Sequence, residues 1–178
     1  MGTLIKNKRI VPETWQLLKP AADGGRPALP LTGDWIVPFA VWQEQRAQLS
    51  QRSGRNGVLL ENTDDVQALA GDFDKLALIA VRFPKFTDGR GYSSARLLRR
   101  LGWKGELRAV GDVLRDQLFY MTRCGFDAFA LREDQDAQSA LTAFDDFTTP
   151  QDHDLIGRPD RAQTVGDHKG GSSLHQGA

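Results

Sequence analysis

The sequence predicts an α/β protein built on a parallel sheet, and three observations carry that expectation. Five short apolar runs are each followed by a stretch with helical spacing, the alternation that single crossover helices between parallel strands produce. The clearest run, LALIAVRF (76–83), is continuous and apolar, as strands buried on both faces read. The chain is long enough for one domain with a real core and not for two. Five strand-helix units fit a doubly wound, flavodoxin-like sheet. The alternative is an open arc of a β/α barrel, because a full barrel of eight units needs about 250 residues and the chain has 178.

Taken in order, residues 1–33 read as an irregular lead-in, with a small hairpin centred on Lys6-Asn7-Lys8 and a Pro/Gly-punctuated loop through KPAADGGRPALPLTG. The α/β domain spans 34–148. WIVPFAV (35–41) is the first apolar run; WQEQRAQLSQR follows as a helix closed by Gly54. GVLL (57–60) is the second strand. NTDDVQALAG (62–71) is a helix with Asn62 or Thr63 as N-cap, acidic residues in its first turn and Gly71 as its stop. After 76–83 come a loop, a helix over 92–101 and the strand ELRAV (106–110). Gly111-Asp112 turns into a helix over 113–124 that Gly125 stops; a strand over 126–132 and a helix over 134–147 complete the pattern. Residues 149–178 lose periodicity and read as a disordered tail.

Composition excludes several chemistries. Lys+Arg and Asp+Glu are both 23, so the net charge is zero, which argues against nucleic-acid binding by bulk electrostatics. Cys124 is the only cysteine, which rules out an internal disulfide or a cysteine-ligated cluster; near a helix C-terminus, with no histidine to activate it, it reads as a buried inert thiol. The three histidines, His153, His168 and His175, all fall in the tail, leaving the body no material for a histidine metal site or a Ser-His-Asp triad. No apolar run approaches the 18 residues or more of a membrane span, and the expected location is the cytoplasm.

The candidate site is the loop FPKFTDGRGYSS (83–94), longer than the about 2–6 residues usual between strand and helix. It leaves the carboxyl end of a strand, where ligands bind in parallel α/β sheets. Gly89 and Gly91 permit close backbone approach, and Ser93 and Ser94 are N-cap types, so free N–H groups would face the same space. Neither the GxxxxGK[ST] nor the GxGxxG pattern is present. Arg82, Arg108 and Arg132 fall on three consecutive strands. With Lys85 and Arg90 they form a candidate cluster for a small oxyanion. The competing reading is that Asp88, Asp112 and Asp116 neutralise these arginines in a structural network. On helix 92–101 the Leu97, Leu98 and Leu101 face is core. Arg96, Arg99 and Arg100 lie on another face, either solvated or docking an acidic partner. Tyr92 and Tyr120, like Trp35, Trp42 and Trp103, read as packing residues, and Asp127 as a local cap or ion-pair partner.

The segments FTDGRGYS, GELRAVGDVLRDQ and RCGFDAF, within a match running from about Trp35 to Phe147, resemble the bacterial domain of unknown function 934 family. The resemblance implies a probable oxidoreductase associated with sulfite reduction, encoded beside the haemoprotein subunit of sulfite reductase. It supplies no established catalytic residues. A flavin is the cofactor this implication would require, since a cluster and a haem lack ligands here. Yet VWQEQRAQ (41–48), after the first strand, lacks the Ser/Thr/Gly phosphate loop of a flavodoxin-like fold. The expectation is therefore an accessory protein without a cofactor, binding the haemoprotein subunit or its oxyanion. A flavin- or nicotinamide-dependent oxidoreductase and a structural interaction domain are the alternatives.

Overall fold

The computed structural model describes residues 3–145 apart from 20, 23, 24 and 26, so the expectations for 149–178 and for the histidines lie outside the described residues. The chain divides into Met1–Phe147 and Thr148–Ala178, and the strands and helices among the described residues belong to the first unit.

The body is α/β, with eight strands among the described residues: β1 (Leu4–Lys6), β2 (Arg9–Val11), β3 (Gln16–Leu17), β4 (Trp35–Pro38), β5 (Asn56–Leu60), β6 (Leu78–Phe83), β7 (Glu106–Gly111) and β8 (Ala128–Ala130). The lead-in is thus not irregular throughout. Asn7 and Lys8 adopt positive φ, 49° and 60°, the turn conformation that suits a two-residue hairpin, and β1 pairs with β2 around them. Four α-helices follow strands: α1 (Phe39–Gln51), α2 (Arg90–Arg100), α3 (Leu118–Cys124) and α4 (Ala137–Thr142). The helix expected over 62–71 is instead a 3-10 helix, Val66–Lys75. Asp65 caps it by accepting from the Gln67 N–H, rather than Asn62 or Thr63.

The strand order is β2-β1-β8-β7-β6-β5-β4-β3, with β3 through β8 parallel and in sequence order, and β1 antiparallel to both β2 and β8. This corrects the doubly wound, flavodoxin-like expectation. Such a sheet reverses its direction of growth partway, which puts helices on both faces. Here every crossover advances the same way, and right-handed crossovers then place every helix on one face. The cores agree. The larger unites Val37, Val58, Ile79, Val81, Leu107 and Phe129 of the sheet with Trp42, Leu98, Met121 and Ala140 of the helices. The smaller, Trp15, Ile36, Leu59, Leu78 and Ala80, contains no helical residue.

The sheet is curled into a half-barrel, and chain geometry requires it. Eight strands laid flat would span roughly 34 Å at about 4.8 Å per interval. The outermost strands, β2 and β3, are joined by residues 12–15 alone, a tether from Val11 to Gln16 that reaches at most about 18 Å. The edges must therefore approach one another, and the helix-free face is the concave one. Pro12-Glu13-Thr14-Trp15 crosses between them as a strap.

Candidate functional site

Alternation along the strands decides what faces the concavity. Glu106, Arg108 and Val110 of β7 point inward between Leu107 and Ala109, which pack under the helices; Ala80 and Arg82 do the same on β6. Across the sheet, Leu59, Ala80, Arg108, Ala128 and Lys6 occupy one register row. The strap contributes Glu13 and Trp15, and β3 adds Leu17, at every second residue. Together they enclose a cavity of about 350 Å³ lined by Glu13, Trp15, Leu17, Ile36, Leu59, Ala80, Arg82, Arg108, Val110, Gly111 and Ala130. That volume lies at the small end of small-molecule sites.

Arg108 is the polar centre of this floor and is 2% exposed. Its Nε donates to Glu106 Oε1 at 2.8 Å, its Nη2 lies 2.7 Å from the same oxygen, and its Nη1 donates to Glu13 Oε2 at 2.6 Å. Glu106 also accepts from Lys6 Nζ at 2.7 Å. Glu13 Oε1 accepts from the Trp15 backbone N–H at 2.8 Å. Outside the cavity, the Arg55 guanidinium sits 4.9 Å from the Trp15 ring centroid while pairing with Asp34. Arg82 Nε lies 2.9 Å from Glu61 Oε1 but misses hydrogen-bond alignment with it, leaving a buried donor unsatisfied at the cavity wall.

The structure brings only part of the expected cluster together. Arg82 and Arg108 share the cavity, whereas Arg90 and Arg132 stand on the rim beside their own carboxylates. Asp88 accepts from the Arg90 backbone N–H at 3.1 Å, from its Nε at 3.0 Å and from its Nη2 at 2.7 Å, and also from Asn62 Nδ2. Arg90's side chain, then its backbone, then Asn62 hold the Asp88 carboxyl far below the usual range. Asp112 accepts from the Phe86 backbone N–H at 2.8 Å and from Arg132 Nη1 at 2.7 Å, and Asp134 takes Arg132 Nε and Nη2. Asp134 first and Asp112 second raise the Arg132 pKa. Lys85 is exposed, and its carbonyl accepts from the Asp88 N–H.

The helix after this loop starts earlier than expected. Gly89 is the N-cap and α2 begins at Arg90, so Gly91 and Ser93 are helical rather than part of a loop. Gly91 is where α2 meets the sheet: a Cβ there would come within 2.6 Å of the Phe83 ring. Of the docking candidates, Arg99 turns inward and donates to the carbonyls of Gly125, Trp103 and Gly105, with Asp127 at 3.3 Å. Arg96 donates to the Tyr120 hydroxyl, and Arg100 is exposed. Burial raises the Asp127 pKa.

Glu13, Trp15, Glu61 and Glu106 were not singled out by sequence reasoning. The signal in PETWQLL is alternation of period two, which Pro12 and the polar residues on either side obscured.

At the position where a flavodoxin-like fold grips a flavin phosphate, β4 passes straight into α1 through Pro38, with no loop between them and no side-chain cap. Among the described residues no group of three or more His, Cys, Asp or Glu could hold a metal, and no helix is long and apolar enough to cross a membrane.

Fold and site together define an α/β protein with a singly wound, curled sheet and a small cavity on its concave face. The family described as bacterial proteins of unknown function, DUF934, matches residues 57–159, more than half of the chain, and the chain belongs to it. No curated protein matches the chain.

Proposed function

We propose that this chain is a binding protein of assimilatory sulfite reduction, acting as an accessory beside the haemoprotein subunit of sulfite reductase, and that its ligand occupies the concave cavity. The observation that carries the binding reading is Arg108: a guanidinium 2% exposed on the floor of an otherwise mostly apolar cavity. Burying a charge costs several kcal/mol unless it is well paired, and a sheet face needing only packing would place an aliphatic residue there. The pathway comes from the family resemblance. The accessory role follows from the cavity's chemistry, which offers recognition by arginine and apolar contact and no nucleophile with an adjacent base.

The test is genetic. Cells lacking the gene should fail to grow on sulfate as sole sulfur source and recover when given sulfide or cysteine. The wild-type gene should restore growth. Ala130→Met, which fills the cavity from β8 and removes no charged group, should fold and fail to restore it. Normal growth of the deletion strain on sulfate would contradict the pathway, and full rescue by Ala130→Met would contradict the site.

A further inference from the structure

Resting on the reading of the concave face as the binding site, we propose that the ligand is a small organic monoanion with an apolar body, and that its acidic group takes the place of the Glu13 carboxylate on Arg108. The two carboxylates that hold Arg108 are not equivalent. Glu106 has a side chain 8% exposed and is gripped from two sides, by Arg108 and by Lys6. Glu13 has a side chain 30% exposed and sits on the four-residue strap. Its side chain meets Arg108 at one oxygen, and the other accepts from the strap's own Trp15 N–H. Glu13 is therefore the exchangeable partner. Its carboxylate occupies the position a ligand's would.

Charge and lining fix the class of ligand. In the ion pairs at the cavity, the cations Lys6, Arg82 and Arg108 meet the carboxylates Glu13, Glu61 and Glu106, one for one. A ligand that displaces one carboxylate keeps that balance only if it carries one negative charge. Trp15, Leu17, Ile36, Leu59, Val110 and Ala130 offer apolar contact to the rest of the molecule, which a bare inorganic oxyanion cannot use. Arg82 Nε, ion-paired with Glu61 at 2.9 Å but making no hydrogen bond to it, supplies a second donor on the cavity wall. As Glu13 leaves Arg108, the strap it anchors is released at its middle while Gln16 and Leu18 keep their backbone bonds to Asp34 and Ile36. Ligand entry and strap movement are thereby one event.

The experiment is calorimetric titration of the full chain with benzoate, with benzamide as the neutral isostere and sulfite as the inorganic anion, repeated on Glu13→Gln. Because the internal carboxylate occupies Arg108 most of the time, the apparent affinity of the wild type is reduced by the small competent fraction. Glu13→Gln should bind benzoate about tenfold more tightly, and benzamide and sulfite should bind more weakly than benzoate to both proteins. In the wild type, benzoate should also shift the Trp15 backbone amide resonance as its acceptor moves away, a readout that stands even if the variant folds poorly. Equal benzoate affinity in the two proteins, with an unmoved Trp15 amide, would overturn the exchange while leaving the cavity as the site. Benzamide or sulfite binding as well as benzoate would overturn the ligand class. No binding of any probe to either protein would overturn the cavity reading as well.

Discussion

The rim loop and the concave floor of the sheet both carry arginines paired with carboxylates, and they differ in how the pairs are made. On the rim, Arg90 meets Asp88 and Arg132 meets Asp134, partners two residues apart with both guanidiniums well exposed. On the floor, Arg108 likewise meets Glu106 two residues away, but it also reaches Glu13 from 95 residues away, and only 2% of its side chain is exposed. Local exposed pairs organise a turn and contribute little, about 0.2–1 kcal/mol. A buried pair that joins distant segments at an apolar cavity costs desolvation that packing residues would have avoided. Richness in arginine marks the rim, but burial marks the floor.

The largest effect expected from this contrast is at Arg108. Arg108→Leu leaves Glu106 and Glu13 facing an apolar floor, and it should lower unfolding stability by about 3–5 kcal/mol in urea denaturation. Adding Glu13→Gln to that variant should recover part of the loss, since one unpaired carboxylate is gone. A loss below about 1 kcal/mol for the single change would place Arg108 with the rim arginines.

Next comes Gly111, at the joint between the two regions. It holds φ at +94°, and a Cβ there would collide with the Phe83 carbonyl oxygen. Gly111→Ala should cost about 2–3 kcal/mol from positive-φ strain and displaced backbone together, read as a lowered melting temperature. Asp112, whose carboxylate accepts from the Phe86 N–H in the 83–90 loop, is the next residue in the chain, so the same variant should broaden the Phe86 amide resonance.

Arg90→Ala should lower the urea midpoint only slightly, although it removes two side-chain hydrogen bonds to Asp88, because the pair is exposed and local. A larger loss would break the contrast from the other side.

The smallest effect is on pH dependence. Asp88 and Asp134 have carboxyls held below their ordinary value by Arg90 and Arg132. A depressed folded-state pKa stabilises the fold above the ordinary carboxylate pKa of about 4 and is lost as pH falls through the depressed value. Asp127 acts oppositely: burial raises its pKa, so its contribution is present at low pH and lost as pH rises through that value. Urea midpoints between pH 5 and pH 2.5 should therefore fall less steeply in Asp88→Asn than in the wild type. An identical slope would contradict the Asp88 reading.

Legibility from sequence followed burial and chain distance. The apolar runs at 57–60, 76–83 and 106–110 are strands because β-branched and aliphatic residues cluster there, and Gly125 stops α3 in the left-handed conformation expected of a C-cap. Winding was not legible. Ile79 and Ala80 are both apolar, yet one packs under helices and the other lines an open face. A continuous apolar run carries no mark of which face a helix covers. The strap was missed for a related reason: Glu13 and Trp15 matter only because the sheet curls until its edges are a few residues apart. Arg108 and Arg82 are legible as candidates because they are arginines on consecutive strands. What could not be read was that their company is Glu13, Glu61 and Glu106 rather than Asp88 and Asp112, because those pairings depend on the face each strand residue presents.

The claim that the concave floor, not the rim loop, is the binding surface is tested most directly by titrating the ¹⁵N-labelled full chain with benzoate and following its amide and indole resonances. The account predicts shifts at the Trp15 indole and at the amides of Ala80, Val110 and Ala130, with those of Lys85 through Tyr92 unmoved. Shifts confined to Lys85 through Tyr92, with the Trp15 and Val110 signals unchanged, would contradict it.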